Sequence, residues 1–369
     1  MKSNIRIGIV GVCGRGGGFA AGCRDAGVSI SAVCDANRAT LPDACAMFGA
    51  QEQYTDYDEM LEQSKLDAVV IATPMQFHAP MAIAALKRNI SVLSEVTAGV
   101  SIDECRELVL ASRKSRGLYM MAENYTYMKP NAVVREMVRR GEFGTPYYGE
   151  GEYLHELKGL NEITVWRRKW QTGVNGITYG THSLGPILQW MAGDRVVEVC
   201  GRGSGHHYRD PRGAEYENED SCVMLCKMKS GGLVKIRVDM LSDRPHAMTN
   251  YQIQGTDGAY ESSRGGPGNT DKVWLRSRSK EPKWIDLRSL EDEFTPESWK
   301  RLGEQALKAG HGGGDYFQVL DFVDAILGRR PCPIGIDEAM DMTLPGLVSQ
   351  QSILQGGVWL EVPDSRTWK

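Results

Sequence analysis

The sequence lacks long apolar runs and lacks an excess of charge of either sign. No run approaches the roughly 20 apolar residues that a membrane helix needs. A formal net charge of −4 over 369 residues indicates neither a basic nucleic-acid surface nor an acidic tail. The first predicted strand begins at residue 5, which leaves no room for a secretory signal peptide. We therefore expect a cytoplasmic protein that acts on small molecules, without nucleic acid or membrane as a partner.

Cysteine is absent from the patterns that build disulfide frameworks or zinc sites. The chain has nine cysteines, an odd number, and they are scattered along the sequence. The close pair, Cys222 and Cys226, has an even spacing that places both on one face of a strand. A zinc site would need a CxxC turn instead. We expect reduced thiols and no metal.

The first third of the sequence has the alternation of short apolar runs and helical patterns that is typical of βαβ units. At 369 residues the chain exceeds the roughly 250 to 300 residues at which single cores stop growing, so two domains are expected. The strands are predicted at 5–10, 29–34, 68–72, 91–94 and 119–121, with helices at 79–88 and 102–115. We predict an α/β fold that begins with a Rossmann domain, with a parallel sheet, over residues 1–122.

Beyond residue 122 the predicted strands follow one another through short turns. After a helix at 131–140, strands are predicted at 147–155, 196–201, 221–228, 233–240 and 251–255, and helices at 296–308, 316–327 and 336–352. Glycine-containing turns such as Ser230-Gly231-Gly232 indicate a mostly antiparallel sheet. Residues 123–369 are therefore predicted to form a second α/β domain with an open sheet. The exposed face of such a sheet favours a homo-oligomer.

A glycine-rich turn follows the first predicted strand. Gly11, Gly14 and Gly16 lie where a dinucleotide pyrophosphate meets a helix N-terminus, although Cys13 occupies the place of the second glycine in a GxGxxG frame. A plain tight turn is the alternative. Asp35 favours the nucleotide, because it ends the second strand about 20 residues later, where a carboxylate accepts the ribose hydroxyls. Its charge favours NAD over NADP, while Arg38 nearby leaves NADP open.

Further motifs resemble a known family. The segment Ile71-Ala72-Thr73-Pro74, with His78 and Glu95, resembles the NAD-binding half of the Gfo/Idh/MocA-like oxidoreductases. In common dehydrogenases of that family the Glu precedes Lys and Pro, and an Asp stands four residues before a His. Here Val96 follows Glu95, and Thr178 stands four residues before His182. The usual Lys and Asp are therefore missing, and His182 remains.

Several separate segments are similar to glycoside hydrolase family 109, the NAD-dependent glycosidases. They are Met121-Ala122-Glu123-Asn124-Tyr125, the run from Gly149 to His155, Trp166-Arg167, and the run from Tyr179 to Pro186. The resemblance implies NAD contacts from a set of loop residues: Arg15, Asp35, Thr73, Pro74, Met75, Gln76, Phe77, His78, Glu95, Val96 and Asn124. It implies sugar contacts from Tyr153, Arg167, Tyr179 and His182. A family tyrosine near an Arg-Pro step is replaced by His246, which leaves the sugar subclass open.

The spacing of the polar aromatic residues is compatible with a sugar-binding wall. Tyr153 and His155 are two apart in a predicted strand and point to the same face. Tyr179 and His182 are three apart where a loop enters a helix, so both project to one side. A half-buried structural pair and a helix-capping pair are the respective alternatives. His311, in a glycine-rich loop, is interpreted as structural or as supporting the site.

The resemblance implies a reaction in which NAD takes hydride from C3 of a glycoside, the resulting ketone acidifies the C2 proton, and a base removes that proton as the C1 group is eliminated. Water then adds at C1 with return of a proton to C2, and the hydride returns to C3. His182 is the candidate at the C3 hydroxyl, with Tyr179 beside it and Glu123, His155 and Tyr153 as possible partners. The alternatives are an NAD-dependent sugar or cyclitol dehydrogenase, and a non-catalytic protein that binds NAD and sugar. Hydride transfer would require His182 and Tyr179 to lie beside the nicotinamide.

Overall fold

The computed structural model describes residues 5–171, 174–191 and 193–369. Within this range the chain forms two compact units. The first takes in the residues up to Tyr127 together with Gly303–Met340 and Ser365–Lys369. The second comprises Met128–Leu302 and Asp341–Asp364. A segment late in the sequence therefore returns to the unit that the N-terminal residues begin.

The structure contains strands and helices with the following bounds. The strands are β1 (Arg6–Val10), β2 (Ser29–Cys34), β3 (Glu52–Tyr54), β4 (Ala68–Ile71), β5 (Ser91–Ser94), β6 (Tyr119–Met121), β7 (Pro146–Leu154), β8 (Val196–Gly203), β9 (Ser221–Met228), β10 (Leu233–Asp239), β11 (Met248–Gly255), β12 (Gly258–Glu261), β13 (Lys272–Leu275), β14 (Ile285–Asp286) and β15 (Leu360–Glu361). The helices are α1 (Ala20–Asp25), α2 (Leu41–Phe48), α3 (Tyr57–Gln63), α4 (His78–Lys87), α5 (Ile102–Lys114), α6 (Lys129–Arg139), α7 (Lys158–Ile163), α8 (Thr181–Trp190), α9 (Glu291–Phe294), α10 (Glu297–Leu307), α11 (Gly314–Ile326) and α12 (Ile336–Leu354).

The first unit is built on a six-stranded parallel sheet in the order β3-β2-β1-β4-β5-β6. The central strand β4 is buried along its whole length, which explains why Ala68–Ile71 is a continuous apolar run. The helix α5 begins at a side-chain cap, since Ser101 accepts the Glu104 N–H at 3.2 Å. The predicted Rossmann fold of the N-terminal region is confirmed.

The helix α11 packs against α1 within the first unit. Gly22 allows this close approach, because a Cβ atom there would lie 2.8 Å from Cβ of Val319. The Tyr316 hydroxyl donates to Asp25 at 2.8 Å across the same pair of helices. The segment that follows α11 is joined to the edge strand β6, because the Met121 N–H bonds to the Ile334 carbonyl at 3.0 Å.

The second unit is built on a nine-stranded sheet in the order β14-β13-β12-β11-β7-β10-β9-β8-β15. Only β7 and β10 pair in parallel among its described neighbours, so the predicted mostly antiparallel character is confirmed. The β9–β10 hairpin turns at Gly231, whose φ of +95° suits glycine. The rings of Trp190, Tyr251 and Tyr260 pack in the core beneath this sheet.

The helix α8 lies directly on β7. A Cβ atom on Gly151 of β7 would lie 2.0 Å from the Ser183 carbonyl oxygen, so only glycine lets the first turn of α8 come this close. This contact fixes the position of His182 relative to the side chains of β7. Among the described helices, none is both long and apolar enough to cross a membrane.

Candidate functional site

The glycine turn after β1 is shaped by close backbone contacts. Gly11 has a φ of +81°, and a Cβ atom there would lie 2.4 Å from the Ala72 carbonyl oxygen. A Cβ atom on Gly16 would lie 2.9 Å from the Gly11 carbonyl oxygen. By contrast, the space beside Gly14 is open, with no described atom within 4 Å of a Cβ position. The turn is therefore closed on the protein side and accessible at Gly14.

The sequence predicted a helix after the glycine run, and α1 begins there, at Ala20. A 3-10 helix at Arg15–Phe19 comes first, and α1 follows it with six residues. Three consecutive glycines, Gly16 to Gly18, lie in this 3-10 helix, and their low helix propensity accounts for the delayed start of α1.

Asp35 follows β2 and joins it to the glycine turn. One carboxylate oxygen accepts the Cys13 N–H at 2.9 Å, and the other accepts the Asn37 N–H at 2.9 Å. Each oxygen keeps a lone pair for a ribose hydroxyl.

The segment after β4 carries the next group of predicted NAD contacts. Thr73 and Pro74 lead into a 3-10 helix at Met75–Phe77, and Phe77 is 46% exposed. Oε1 of Gln76 is buried with no hydrogen-bond partner among the described residues. The same holds for Oδ1 of Asn124, which follows β6. Two unpartnered buried oxygens beside the strand ends fit a bound polar ligand.

His78 has a different environment from its neighbours. The ring is buried, and its two nitrogens lie 2.8 Å from the carbonyl oxygens of Thr73 and Thr97. Burial lowers the pKa of His78, although these two carbonyls oppose the shift. Val96, between Glu95 and Thr97, is also buried. The His78 ring therefore ties the loop after β4 to the loop after β5.

Arg15 lies between two acidic side chains. Its Nη2 atom is 2.7 Å from Oε1 of Glu95, and its guanidinium makes a two-point contact with Asp315 at 2.5 and 2.9 Å. Asp315 is buried at the start of α11 and was not identified from the sequence. An acidic residue directly after the glycines at 312–314 was the available signal.

The donors and spaces of the first unit fit NAD. The open backbone at Gly14 suits the pyrophosphate, the Asp35 carboxylate suits a ribose diol, and Gln76 and Asn124 offer unpartnered buried oxygens to the second half of a dinucleotide. All of these groups lie at the carboxyl ends of the parallel strands, where open α/β sheets bind their ligands.

The second unit brings the predicted sugar-binding aromatic residues together. These residues form what we call the aromatic cluster: Tyr153, His155, Tyr179, His182 and His246. The ring centroids of its contacting pairs lie 5.4 to 5.6 Å apart. Tyr153 and His182 are buried, and His246 is exposed. Sequence spacing had suggested two separate pairs, and the packing of α8 on β7 joins them.

His155 is held in its neutral form by its surroundings. The pKa of His155 is lowered to about 4, first by burial and then by His246 and the positive charge of Arg167. Its Nδ1 atom lies 2.8 Å from the Tyr153 hydroxyl. The guanidinium of Arg167 stacks on Trp166 at 4.5 Å and donates to Gln171 at 2.5 Å. The cluster thus presents a neutral imidazole beside a cationic group.

His182 is held in place through its backbone. The Tyr251 hydroxyl donates to the His182 carbonyl at 2.5 Å. The Tyr179 hydroxyl lies 3.5 Å from Nε2 of His182, a long contact. Because an O–H group and an imidazole nitrogen face each other, a proton could pass between a substrate hydroxyl and this pair.

Glu123 lies in the first unit and so belongs to a different unit from the aromatic cluster. Its side chain is fully buried, and Oε1 accepts the Tyr125 N–H at 3.0 Å. In the described part of the chain no group of three or more His, Cys, Asp or Glu residues could hold a metal ion. The nine cysteines are all free.

Two family profiles match adjacent parts of the chain. Residues 5–123 match the profile described as oxidoreductase family, NAD-binding Rossmann fold. Residues 127–369 match the profile described as glycosyl hydrolase 109, C-terminal domain. The N-terminal region is therefore an NAD-binding Rossmann domain.

Individual relatives and solved structures are similar to the chain over nearly its full length. A glycosyl hydrolase family 109 protein of Saccharopolyspora erythraea is 30% identical, over 98% of this chain and 83% of its own length. One from Shewanella sp. (strain W3-18-1) is 28% identical over 98% of this chain and 84% of its own length. Among solved structures, a levoglucosan dehydrogenase in complex with NADH and levoglucosan has a TM-score of 0.82 at 18% identity, covering 98% of this chain and 100% of that one. An NAD-binding oxidoreductase from Klebsiella pneumoniae has a TM-score of 0.79 at 19% identity, covering 98% and 99%. These two structures share the fold.

Proposed function

The chain belongs to glycosyl hydrolase family 109, and from this membership we propose that it is an NAD-dependent glycosidase that cleaves its substrate through transient oxidation at C3. The substrate is a glycoside bound at the aromatic cluster. The observation that carries the proposal is the aromatic cluster itself, in which two tyrosines and three histidines are joined by successive ring contacts near Arg167.

The composition of the cluster favours a redox route over direct hydrolysis. Ordinary glycosidases place two carboxylates on either side of the scissile bond, and NAD-dependent ones are exempt from that rule. None of the five members of the aromatic cluster is an acid. Its phenols and imidazoles are instead groups that exchange protons with sugar hydroxyls near neutral pH. When bound, NAD supplies hydride acceptance at C3 and returns the hydride at the end of the cycle.

The side chains of the second unit supply the proton transfers. His182, with Tyr179 3.5 Å from its Nε2 atom, takes the proton of the C3 hydroxyl and later gives it back. Because the pKa of His155 is about 4, its ring is neutral at physiological pH and contributes hydrogen bonds to the sugar. Tyr153 bonds to His155 and orients it toward the sugar.

Arg167 binds a sugar oxygen. Its stacking on Trp166 and its bond to Gln171 hold the guanidinium in one orientation. His246 contacts His155 from an exposed position and contributes to sugar selection. Glu123 remains a proposed partner in acid–base chemistry, with its carboxylate bonded to the Tyr125 N–H.

The test uses the full chain loaded with NAD and a panel of nitrophenyl glycosides in D2O. Phenol release with deuterium at C2 and no lasting NADH absorbance is the expected result. Lasting NADH absorbance would instead identify a sugar dehydrogenase. The absence of both signals, with binding retained, would identify a non-catalytic NAD- and sugar-binding protein.

Two variants locate the chemistry within the molecule. His182→Gln removes the proposed base, and we expect phenol release to fall by about 10²- to 10⁴-fold, as is typical for loss of general acid–base catalysis. His206→Gln changes an exposed loop histidine of the same unit and should leave the rate unchanged. Equal rates in the two variants would contradict the assignment of His182.

A further inference from the structure

Asp315 is the centre of a buried hydrogen-bond network that the proposed reaction does not explain. Its side chain is 1% exposed. The carboxylate receives bonds from four side chains: Arg15 at 2.5 and 2.9 Å, His311 at 2.8 Å, Asn124 at 2.9 Å and Gln318 at 3.5 Å. Burial alone would raise the pKa of Asp315, but the His311 bond and the Arg15 charge outweigh it and hold the pKa below its usual value. The group is therefore a buried anion at neutral pH.

Glycines clear the space around this carboxylate. A Cβ atom on Gly18 would lie 2.3 Å from Nη1 of Arg15 and 3.1 Å from an Asp315 oxygen. A Cβ atom on Gly314 would lie 2.2 Å from the Asn124 carbonyl oxygen. The glycines of the nucleotide turn and of the loop before α11 thus allow Arg15 and Asn124 to reach one acceptor. Neither segment needs these contacts for its own local fold.

The sheet order assigns this network to one half of the cofactor. Asp35 follows β2, on the side of the sheet where a dinucleotide places its adenosine ribose. Glu95 follows β5 and Asn124 follows β6, on the opposite side of β1. The Arg15 guanidinium lies against Glu95 and Asp315, so its side chain is directed to this second side although its backbone belongs to the glycine turn.

We propose that Asp315 is a positioning residue for the nicotinamide half of NAD, acting through Arg15 and Asn124. Asp315 holds the guanidinium against Glu95 and fixes the Asn124 amide by its nitrogen, which directs the unpartnered Oδ1 atom of Asn124 away from the network. Without Asp315, the Arg15 guanidinium would lose its two-point contact and could adopt other rotamers beside Glu95. The adenosine half, bound through Asp35, would be unaffected.

The test compares two ligands on the same variants by calorimetric titration. Asp315→Asn keeps the size of the side chain and removes its charge. We expect it to weaken NAD binding by about tenfold or more, because charge-assisted bonds to Arg15 and His311 are lost. Binding of ADP, which lacks the nicotinamide riboside, should stay within about twofold on the same reasoning. Asp25→Asn is the matched control, since it removes a carboxylate from the same α1–α11 contact without touching the network.

A second substitution tests the route through Arg15. Arg15→Lys retains the charge but cannot make the two-point contact. It should show the same loss of NAD affinity, with its affinity for ADP retained. In the Arg15→Lys background, Asp315→Asn should weaken NAD by less than about threefold. Unchanged NAD affinity, an equal loss of NAD and ADP, or an undiminished effect in the double variant would each overturn the proposal. Only binding is measured, so failure here leaves the proposed glycosidase reaction untouched.

Discussion

The Tyr153 hydroxyl lies 2.8 Å from Nδ1 of His155, and this bond joins a buried phenol to a histidine that stays neutral down to about pH 4. The aromatic cluster therefore contains a neutral imidazole at physiological pH. This imidazole also links the stability of the second unit to pH, because the unfolded chain protonates this ring near pH 6.5.

The stability of the protein should therefore fall as the pH drops from 6.5 to 4. In this window the unfolded chain binds a proton at His155 and the folded chain does not, so the contribution present above pH 6.5 is lost. Between pH 7 and pH 5 the wild type should lose about 1 kcal/mol more than His155→Gln, after allowance for partial exposure of the ring. Urea unfolding at both pH values measures this difference. An equal loss in the two proteins would show that His155 is not the group responsible, and His206→Gln should behave like the wild type.

Asp35 should control the choice between NAD and NADP. Asp35→Asn can still accept the Cys13 N–H, so the glycine turn is retained while the charge that repels a 2′-phosphate is removed. The ratio of NAD to NADP affinity should fall by about tenfold or more, the scale of one charge-assisted contact. Fluorescence titration with each cofactor gives the ratio. Asp58→Asn, at an exposed acid on α3, should leave it unchanged, whereas an unchanged ratio in Asp35→Asn would refute the assignment.

Variants at His78 and Phe77 should distinguish a residue that supports the loop from a residue that contacts the cofactor. His78→Phe removes the ring N–H that donates to one of the two facing carbonyls, those of Thr73 and Thr97, and it should lower the free energy of unfolding by about 1 to 3 kcal/mol because a buried acceptor loses its partner. Phe77→Ala, at the exposed position before it, should weaken NAD binding with little change in stability. Denaturant unfolding and NAD titration of both variants test this. If His78→Phe were as stable as the wild type and still lost NAD, the ring would contact the cofactor directly.

The sequence predicts the parts of the fold that have strong local patterns. The apolar runs of β1, β2 and β4 and the alternation in β9 and β10 identify their strands to within a residue or two. The strands β3, β14 and β15 have only two or three residues, too few to show a period of two, and they were missed. The return of α11 to the first unit rests on packing such as Gly22 against Val319, which no local pattern contains.

The same distinction applies to the candidate sites. The pairing of Tyr153 with His155 follows from alternation along a strand, and Tyr179 with His182 from spacing at a helix start. The contact between His155 and His246 depends on β7 and on the loop before β11, so only the folded structure reveals it. Asp315 reaches Arg15 across 300 positions in sequence, and spacing arguments do not extend over such distances.

The approach of α8 to β7 should be as important for activity as any catalytic side chain. In Gly151→Ala the new methyl group would lie 2.0 Å from the Ser183 carbonyl oxygen, so α8 must move away from the sheet and carry His182 away from Tyr153. We expect a loss of about 3 kcal/mol or more in the free energy of unfolding, as for an overpacked core, together with a large fall in phenol release. Gly159→Ala is the matched control, because no described atom lies within 4 Å of its Cβ position, and in α7 alanine should be neutral or stabilise by up to about 1 kcal/mol. Thermal unfolding and the nitrophenyl glycoside assay on both variants decide the matter: a Gly151→Ala protein with wild-type stability and rate would mean that α8 can shift without disturbing the aromatic cluster.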